Sequence, residues 1–264
     1  MKKILSLILV LALAICAFAA CGNKAQEENA GTNAEALPSA YKGTYETLKM
    51  ATNAAFPPYE YKDGEEFVGI DVEIATAIAK ELGATLEVVD MEFDSIITSV
   101  DQGEVDFGMA GMTVTEERKE QVDFTSSYAT GVQSVIVPET TEIATLDDLS
   151  GKKIGVQLGT TGDIYSCDDF GEENVTKYGK GADAVIALKG GDVDAVIIDN
   201  EPAKAFVAAN EGLKILDTDY AIEDYAIAIK KGNTDFLDDV NKALEKLTEE
   251  GTIDQIVAKY IKAE

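Results

Sequence analysis

Ala110–Arg118, with the sequence AGMTVTEER, contains the single arginine of the chain, and every other basic residue is a lysine. A guanidinium group is planar and permanently charged, so it can bind a carboxylate through two parallel hydrogen bonds. An ammonium group is instead a strongly hydrated point charge. The position of Arg118 therefore indicates that this segment needs the geometry of a guanidinium group.

The residues around Arg118 predict a binding site for one carboxylate group. Apolar residues alternate through Val105–Met109, which predicts a buried strand that ends at Gly111. Gly111 allows a ligand to approach the backbone, Thr113 supplies a hydroxyl group, and Thr115 can cap a helix. The residues alone leave one alternative open, in which Arg118 belongs to a solvated helix face among acidic neighbours.

Strand and helix patterns alternate along the chain from Leu48 onwards. Leu48–Thr52 predicts a short strand, and Gly69–Leu82 predicts a helix in which apolar residues recur every four positions. This alternation favours parallel sheets covered by helices. Phe56 lies beside two prolines and is interpreted, from the residues alone, as a hydrophobic plug, with a platform for a ligand as the alternative.

Two segments echo each other and suggest two similar α/β lobes. Gly103–Gly111 has the sequence GEVDFGMAG, and Gly191–Asp199 has the sequence GDVDAVIID. Gly111 and Asp199 would then occupy equivalent strand ends, where ligands of open α/β sheets bind. Because one lobe would present Arg118 and the other Asp199, we expect a ligand that carries both charges.

A third segment, Gln157–Gly162 with the sequence QLGTTG, predicts a loop that opens a helix. The free backbone N–H groups at such a helix start suit an anion. Because many helices begin with threonine, this segment does not define a site by itself.

The N-terminus predicts export and a lipid anchor. A short basic start and an apolar run precede small residues and Cys21, a pattern typical of a bacterial lipoprotein signal, although Phe18 stands where leucine is usual. We expect a signal peptide of residues 1–20, lipid on Cys21 and a flexible tether over residues 21–43. Lipid on Cys16 and a plain secreted protein are the alternatives.

Composition argues against several classes of function. The net charge is −27, and removing the two lysines of the signal leaves 20 basic residues against 49 acidic ones, so nucleic acid is not an expected partner. The absence of histidine and of paired cysteines argues against transition-metal sites and His-based triads. We expect no metal, no cofactor and no catalysis. Only Cys167 would remain in the exported domain, so no internal disulfide is expected.

The chain resembles the bacterial extracellular solute-binding proteins of polar amino acid ABC importers. Gly69–Ile74, with the sequence GIDVEI, is similar to the family signature, and Ala110–Arg118 is similar to the carboxylate-binding segment. The resemblance implies an α/β, two-lobed periplasmic-binding-protein-like fold of type II. Each lobe would be a mostly parallel sheet with helices on both faces, and two hinge crossings would join the lobes. The implied lobes are residues 44–131 plus 223–264, and residues 132–222.

The resemblance also implies roles for individual residues. Arg118 would bind the α-carboxylate of an amino acid, and Asp199 would bind its α-ammonium group. Phe56 and Phe93 would enclose the side chain, which replaces the interpretation of Phe56 as a plug. The other carboxylate contacts would come from the backbone of Gly111, the hydroxyl or N–H of Thr113 and the N–H of Thr161.

Three departures from the family pattern concern the ligand side chain. Asn53 stands where relatives often have an acidic residue, and Gln157 and Ile198 stand where glutamine binders can have lysine and histidine. Asn53 and Gln157 are neutral and can both donate and accept hydrogen bonds, so we predict an uncharged polar amino acid. A cationic side chain served by Glu60 or by water is the alternative.

The resemblance implies that the protein captures a free polar L-amino acid by hinge closure and delivers it to the permease subunits of an ABC transporter. We expect an extracytoplasmic monomer that is lipid-anchored to the cell membrane. The alternatives are a dehydratase-like enzyme of the same fold acting on a small carboxylic acid, and an extracellular amino acid sensor.

Overall fold

The computed structural model describes residues 41–262, in which helices and strands alternate as expected. In chain order the strands are β1 (Thr47–Thr52), β2 (Ala55–Phe56), β3 (Glu60–Asp63), β4 (Glu66–Val68), β5 (Thr85–Asp90), β6 (Phe107–Gly108), β7 (Val122–Phe124), β8 (Ala129–Pro138), β9 (Ile154–Gln157), β10 (Val175–Tyr178), β11 (Ala195–Asp199), β12 (Leu213–Ile215), β13 (Ala221–Tyr225) and β14 (Ala228–Lys230). The α-helices are α1 (Ile70–Glu81), α2 (Ile96–Gln102), α3 (Glu116–Gln121), α4 (Thr161–Phe170), α5 (Gly181–Gly190), α6 (Asn200–Ala209), α7 (Thr234–Glu249) and α8 (Thr252–Tyr260).

The first lobe is built on a sheet whose described strands have the spatial order β5-β1-β6-β14-β7. β1 runs parallel to β5 and β6, whereas β14 is antiparallel to β6 and β7. Helix α1 buries Ile70, Ile74 and Ile78 in the core beside this sheet, together with Phe236 of α7. The apolar stripe predicted for α1 at four-residue spacing is therefore confirmed.

The second lobe is built on a sheet with the order β10-β9-β11-β8-β12, and β13 also pairs with β8. β9 runs parallel to β10 and β11, whereas β8 is antiparallel to β11, β12 and β13. Every antiparallel pair of the two lobe sheets, within the described residues, involves β8 or β14. The two-lobed α/β fold is confirmed, and the sheet of each lobe mixes parallel with antiparallel pairs.

Two strands carry the chain between the lobes. β8 follows β7 of the first sheet and enters the second, and β13 leaves the second sheet just before β14 of the first. β8 and β13 pair from Ala129 with Tyr225 to Gln133 with Ala221. The N–H of Tyr128 donates to the carbonyl of Tyr225 at 3.0 Å, which joins the two crossings at the edge of the first lobe.

The strand before Gly111 is shorter than predicted. β6 ends at Gly108, and Gly111 has a φ of 53° outside the ladder. The N–H of Gly111 donates to Asp71 at 2.8 Å, so the backbone turns away from strand pairing. β11, by contrast, continues to Asp199. The prediction that Gly111 and Asp199 occupy equivalent strand ends is therefore wrong.

The first described residues pack against α7. The backbone N–H groups of Lys42 and Gly43 donate to Asp239 at 2.8 and 2.7 Å, and the hydroxyl of Tyr45 donates to the same carboxylate at 2.9 Å. Contacts with the first lobe thus begin slightly before residue 44, where the sequence places its start.

Three predictions fall on residues outside the described range. They are the signal peptide of residues 1–20, lipid on Cys21 with Cys16 as the alternative, and residues 21–40 of the tether predicted over residues 21–43. Within residues 41–262, no helix has the length and apolar character needed to cross a membrane.

Gly69 joins the small β2-β3-β4 sheet to α1 and has a φ of 125°. A Cβ atom here would lie 2.2 Å from the backbone oxygen of Tyr59. We expect Gly69→Ala to lower the free energy of unfolding by about 3 kcal/mol, because backbone strain and a collision with fixed backbone add together. Chemical denaturation monitored by circular dichroism measures this change.

The matched control is Gly64→Ala. Gly64 also has a positive φ, of 65°, but a Cβ atom added there would meet nothing within 4 Å. We expect this variant to lose only about 1 kcal/mol, from backbone strain alone. Equal losses in the two variants would contradict the importance of the Tyr59 contact.

Candidate functional site

A cavity between the two lobes brings together the residues that the sequence singles out. Its volume is about 20 Å³, so the residues that line it lie close together. All the predicted ligand-binding residues line it, namely Asn53, Phe56, Phe93, Gly111, Thr113, Arg118, Gln157, Thr161 and Asp199. Glu60, Ala110 and Thr160 line it as well. The structure thus places both members of the predicted charge pair, Arg118 and Asp199, at one cavity, while their roles in binding stay predictions.

Arg118 lies inside the protein, with 7% of its surface exposed. Thr115 caps α3 by accepting a hydrogen bond from the N–H of Arg118 at 3.1 Å. The guanidinium donates to the carbonyl oxygens of Thr113 at 2.6 Å and Gly159 at 3.0 Å, and its Cζ lies 5.4 Å from the centroid of the Phe93 ring. The alternative of a solvated helix face is therefore wrong.

The guanidinium of Arg118 keeps donors for a ligand. Burial lowers the pKa of Arg118 to about 10, while negative charge nearby, that of Glu223 first, opposes this change, so the group stays charged at neutral pH. Two of its five N–H groups are used by the carbonyls of Thr113 and Gly159. The remaining donors suit the two oxygens of a carboxylate in the cavity.

Asp71, in the first turn of α1, holds the backbone of Gly111. Its Oδ2 accepts the N–H of Gly111 and the hydroxyl of Tyr128, each at 2.8 Å. Burial raises the pKa of Asp71 to about 6, and these two hydrogen bonds limit the rise. Because the N–H of Gly111 is committed to Asp71, the backbone group that Gly111 can offer a ligand is its carbonyl.

The hydroxyl groups of Thr113 and Thr161 both donate to Oε2 of Glu223, at 3.2 and 3.0 Å. A hydroxyl has a single proton to donate. The donor that each threonine keeps for a carboxylate is therefore its backbone N–H. Glu223 lies on β13 and is 4% exposed, and no local pattern in the sequence points to it.

Asp199 ends β11 with its carboxyl group buried. Its Oδ2 accepts a hydrogen bond from Nε2 of Gln133 at 2.7 Å, and its Oδ1 is buried without a partner. Burial and the charge of Glu223 raise the pKa of Asp199 well above its usual range, while Gln133 and Arg118 oppose this rise. A cationic group in the cavity would supply the missing partner and favour the carboxylate form.

Asn53 and Gln157 bind each other across the two lobes. Nε2 of Gln157 donates to Oδ1 of Asn53 at 3.0 Å, and Nδ2 of Asn53 donates to the carbonyl of Met91 at 2.7 Å. One hydrogen bond thus joins the two amides and uses part of their bonding capacity, while both side chains line the cavity. Ile198, the third departure from the family pattern, belongs to the hydrophobic core.

Glu60 is an acidic residue of the cavity whose importance the sequence alone leaves open. It lies opposite Phe56 in the β2-β3 hairpin and is 1% exposed. Its Oε2 is buried without a hydrogen-bond partner. Burial, followed by the charge of Asp71, raises the pKa of Glu60 well above its usual range. A buried oxygen without a hydrogen-bond partner is costly, so Oε2 of Glu60 favours a ligand that supplies a hydrogen-bond donor or a positive charge.

Comparison with known proteins agrees with the fold. The family model of bacterial extracellular solute-binding proteins, family 3, matches residues 48–263. The arginine-binding extracellular protein ArtP of Bacillus subtilis is 34% identical, and the match covers 100% of both chains.

Two solved structures have the same architecture. An ancestral arginine-binding protein bound to glutamine is 42% identical with a TM-score of 0.78, and the match covers 82% of this chain and 98% of that one. The arginine-, lysine-, histidine-binding protein ArtJ of Geobacillus stearothermophilus is 32% identical with a TM-score of 0.79, over 83% of this chain and 96% of that one. The chain belongs to the bacterial extracellular solute-binding proteins, family 3.

Proposed function

We propose that the protein captures a free L-amino acid with a cationic side chain, with arginine as the best candidate, and delivers it to the permease of an ABC importer. Arg118 binds the α-carboxylate together with the N–H groups of Thr113 and Thr161. Asp199 binds the α-ammonium group through its unpartnered Oδ1.

The observation that carries the choice of a cationic side chain is that Oε2 of Glu60 is buried without a hydrogen-bond partner, and that Glu60 lines the same cavity as Arg118 and Asp199. A guanidinium or ammonium group beside Glu60 would pair with it and stabilise its ionised form. The neutral pair Asn53 and Gln157 was the reason to predict an uncharged side chain, and that reason weakens because the two amides bind each other. The arginine-binding extracellular protein ArtP supports the same choice.

The aromatic residues of the cavity suit the same ligand. Phe56 and Phe93 both line the cavity and are 8% exposed. The face of an aromatic ring attracts a cation and stacks on a planar guanidinium. Their predicted role of enclosing the ligand side chain is therefore part of this proposal.

Capture proceeds by closure of the two lobes about the crossings β8 and β13. Support comes from contacts that join the lobes beside the cavity, such as those of Arg118 with Gly159 and of Gln157 with Asn53. A ligand held by Arg118 on one side and by Asp199 on the other stabilises this closed arrangement. We propose the lobe boundaries given by the sequence, residues 44–131 plus 223–264 and residues 132–222.

The family works outside the cytoplasm, and we propose in addition that lipid on Cys21 anchors this monomeric chain to the cell membrane. Cys167 takes no part in the proposed site. The family consists of solute-binding proteins of transporters, which favours capture and delivery of the ligand over the enzymatic alternative.

The first test removes the carboxylate partner. We expect Arg118→Ala to weaken the binding of L-arginine at least 100-fold, because the ligand α-carboxylate would be buried without its counter-charge, a loss of about 3 to 5 kcal/mol. Isothermal titration calorimetry measures the affinity, and the far-ultraviolet circular dichroism spectrum checks the fold. Lys119→Ala, at the next position of α3, is the control and keeps the wild-type affinity, since Lys119 pairs with the exposed Glu116. Near-normal affinity in Arg118→Ala would contradict the proposed site.

The second test separates charge from shape in the ligand side chain. L-citrulline has nearly the shape of L-arginine but no positive charge. We expect Glu60→Gln to reduce the preference for L-arginine over L-citrulline by about 10- to 100-fold, because a charge-assisted hydrogen bond is lost. Competition between the two ligands in calorimetry gives this ratio.

Glu66→Gln is the control for Glu60→Gln, because Glu66 is exposed on β4 of the same small sheet. We expect the wild-type ratio in this variant. An unchanged ratio in Glu60→Gln would place the cationic side chain elsewhere and refute the proposed role of Glu60.

A further inference from the structure

Glu223 on the crossing strand β13 gathers hydrogen bonds from separate parts of the molecule. Its Oε2 accepts from the hydroxyl of Thr113 at 3.2 Å, from the hydroxyl of Thr161 at 3.0 Å and from Nε2 of Gln133 at 3.0 Å. The residue is 4% exposed, and its Oε1 is buried without a partner. Glu223 lies next to the cavity through Thr113 and Thr161, whose hydroxyls it binds and which line the cavity.

The two threonines come from different lobes. Thr113 lies just before α3 of the first lobe, and Thr161 is the first residue of α4 in the second lobe. Their hydroxyl oxygens are 3.5 Å apart, and both point to the same oxygen of Glu223. This arrangement exists only while the lobes are together, because a single oxygen cannot stay within hydrogen-bond distance of both threonines if they separate.

We propose that Glu223 is a positioning residue. Its hydrogen bonds to Thr113 and Thr161, called here the latch, hold the two lobes in the closed arrangement. The same bonds leave the backbone N–H groups of the two threonines available to the ligand carboxylate. The part of this inference that concerns the carboxylate rests on the proposed function, whereas the latch between the lobes does not.

The latch is also linked to the opposite end of the ligand site. Nε2 of Gln133, on β8, donates to Oδ2 of Asp199 at 2.7 Å as well as to Glu223. Gln133 on the first crossing strand therefore connects Asp199, the proposed acceptor for the α-ammonium group, with Glu223 on the second crossing strand. Both crossings, and a threonine from each lobe, meet in one buried hydrogen-bonded network.

A latch that acts only in the closed arrangement should slow ligand release more than it affects ligand entry. We expect Glu223→Ala to raise the dissociation rate constant of L-arginine at least 10-fold while changing the association rate constant less than about 3-fold. Glu223→Gln, which keeps an acceptor oxygen for the threonine hydroxyls, should restore most of the slow dissociation. Stopped-flow competition with a second ligand, using the mature chain, measures both constants.

Asp224→Ala is the matched control, because Asp224 is the next residue of β13 and its side chain is exposed. We expect wild-type rate constants in this variant. A dissociation rate constant in Glu223→Ala within about 2-fold of that in Asp224→Ala would overturn the inference.

A second variant tests the same inference if circular dichroism shows that Glu223→Ala does not fold. Thr161→Val removes the hydroxyl that the second lobe contributes to the latch and keeps the backbone N–H of residue 161. We expect its dissociation rate constant for L-arginine to exceed that of Asp224→Ala by more than about 2-fold. A smaller difference would overturn the inference.

If the proposed function is wrong, the wild-type chain will not bind L-arginine, and this result is independent of the variants. In that case small-angle X-ray scattering of the protein without amino acid decides the inference. We expect a larger radius of gyration in Glu223→Ala than in Asp224→Ala, because loss of the latch favours separated lobes. Equal radii would overturn it.

Discussion

The structure depends on the burial of one guanidinium among several carboxyl groups. Arg118 is 7% exposed, and Glu60, Asp71, Asp199 and Glu223 are each buried to a similar or greater extent. Charges removed from water are stable only when they are paired and hydrogen-bonded. Hydrogen bonds from the protein reach one oxygen of Asp71, Asp199 and Glu223, while the other oxygen of each is buried without a partner. A ligand with a positive charge would pair with these carboxyl groups. A ligand with only a carboxylate would pair with Arg118 alone.

The fold makes this concentration of charge possible because the site lies where the two lobes and the two crossing strands meet. Arg118 reaches the second lobe through the carbonyl of Gly159, and Gln157 of that lobe reaches back to Asn53. Glu223 enters from a crossing strand behind the cavity. Each polar group is fixed by a neighbour from another segment, so the site is assembled by the tertiary structure, and closure of the lobes completes it.

Local sequence patterns predict the parts of the site that depend on short segments. The lone Arg118, the cap Thr115 and the strand end at Asp199 could all be identified from neighbouring residues, and the family resemblance placed Arg118 and Asp199 at one site. The partners of the side chains could not be predicted this way. Gln157 and Asn53 are 104 positions apart, and Glu223 is 110 positions from Thr113, so no periodicity or spacing connects them. The argument for an uncharged ligand side chain is weaker for this reason, because Asn53 and Gln157 share a hydrogen bond that the sequence does not show.

The most direct test is the number of protons released when an amino acid binds, determined over a range of pH. Calorimetric titrations in buffers of different ionisation enthalpy give this number. Burial and Asp71 raise the pKa of Glu60 well above its usual range, and a cationic side chain beside it would lower that pKa again, so a proton leaves on binding. The account predicts greater proton release with L-arginine than with L-citrulline. Equal proton release with the two ligands, or proton uptake with L-arginine, would contradict it.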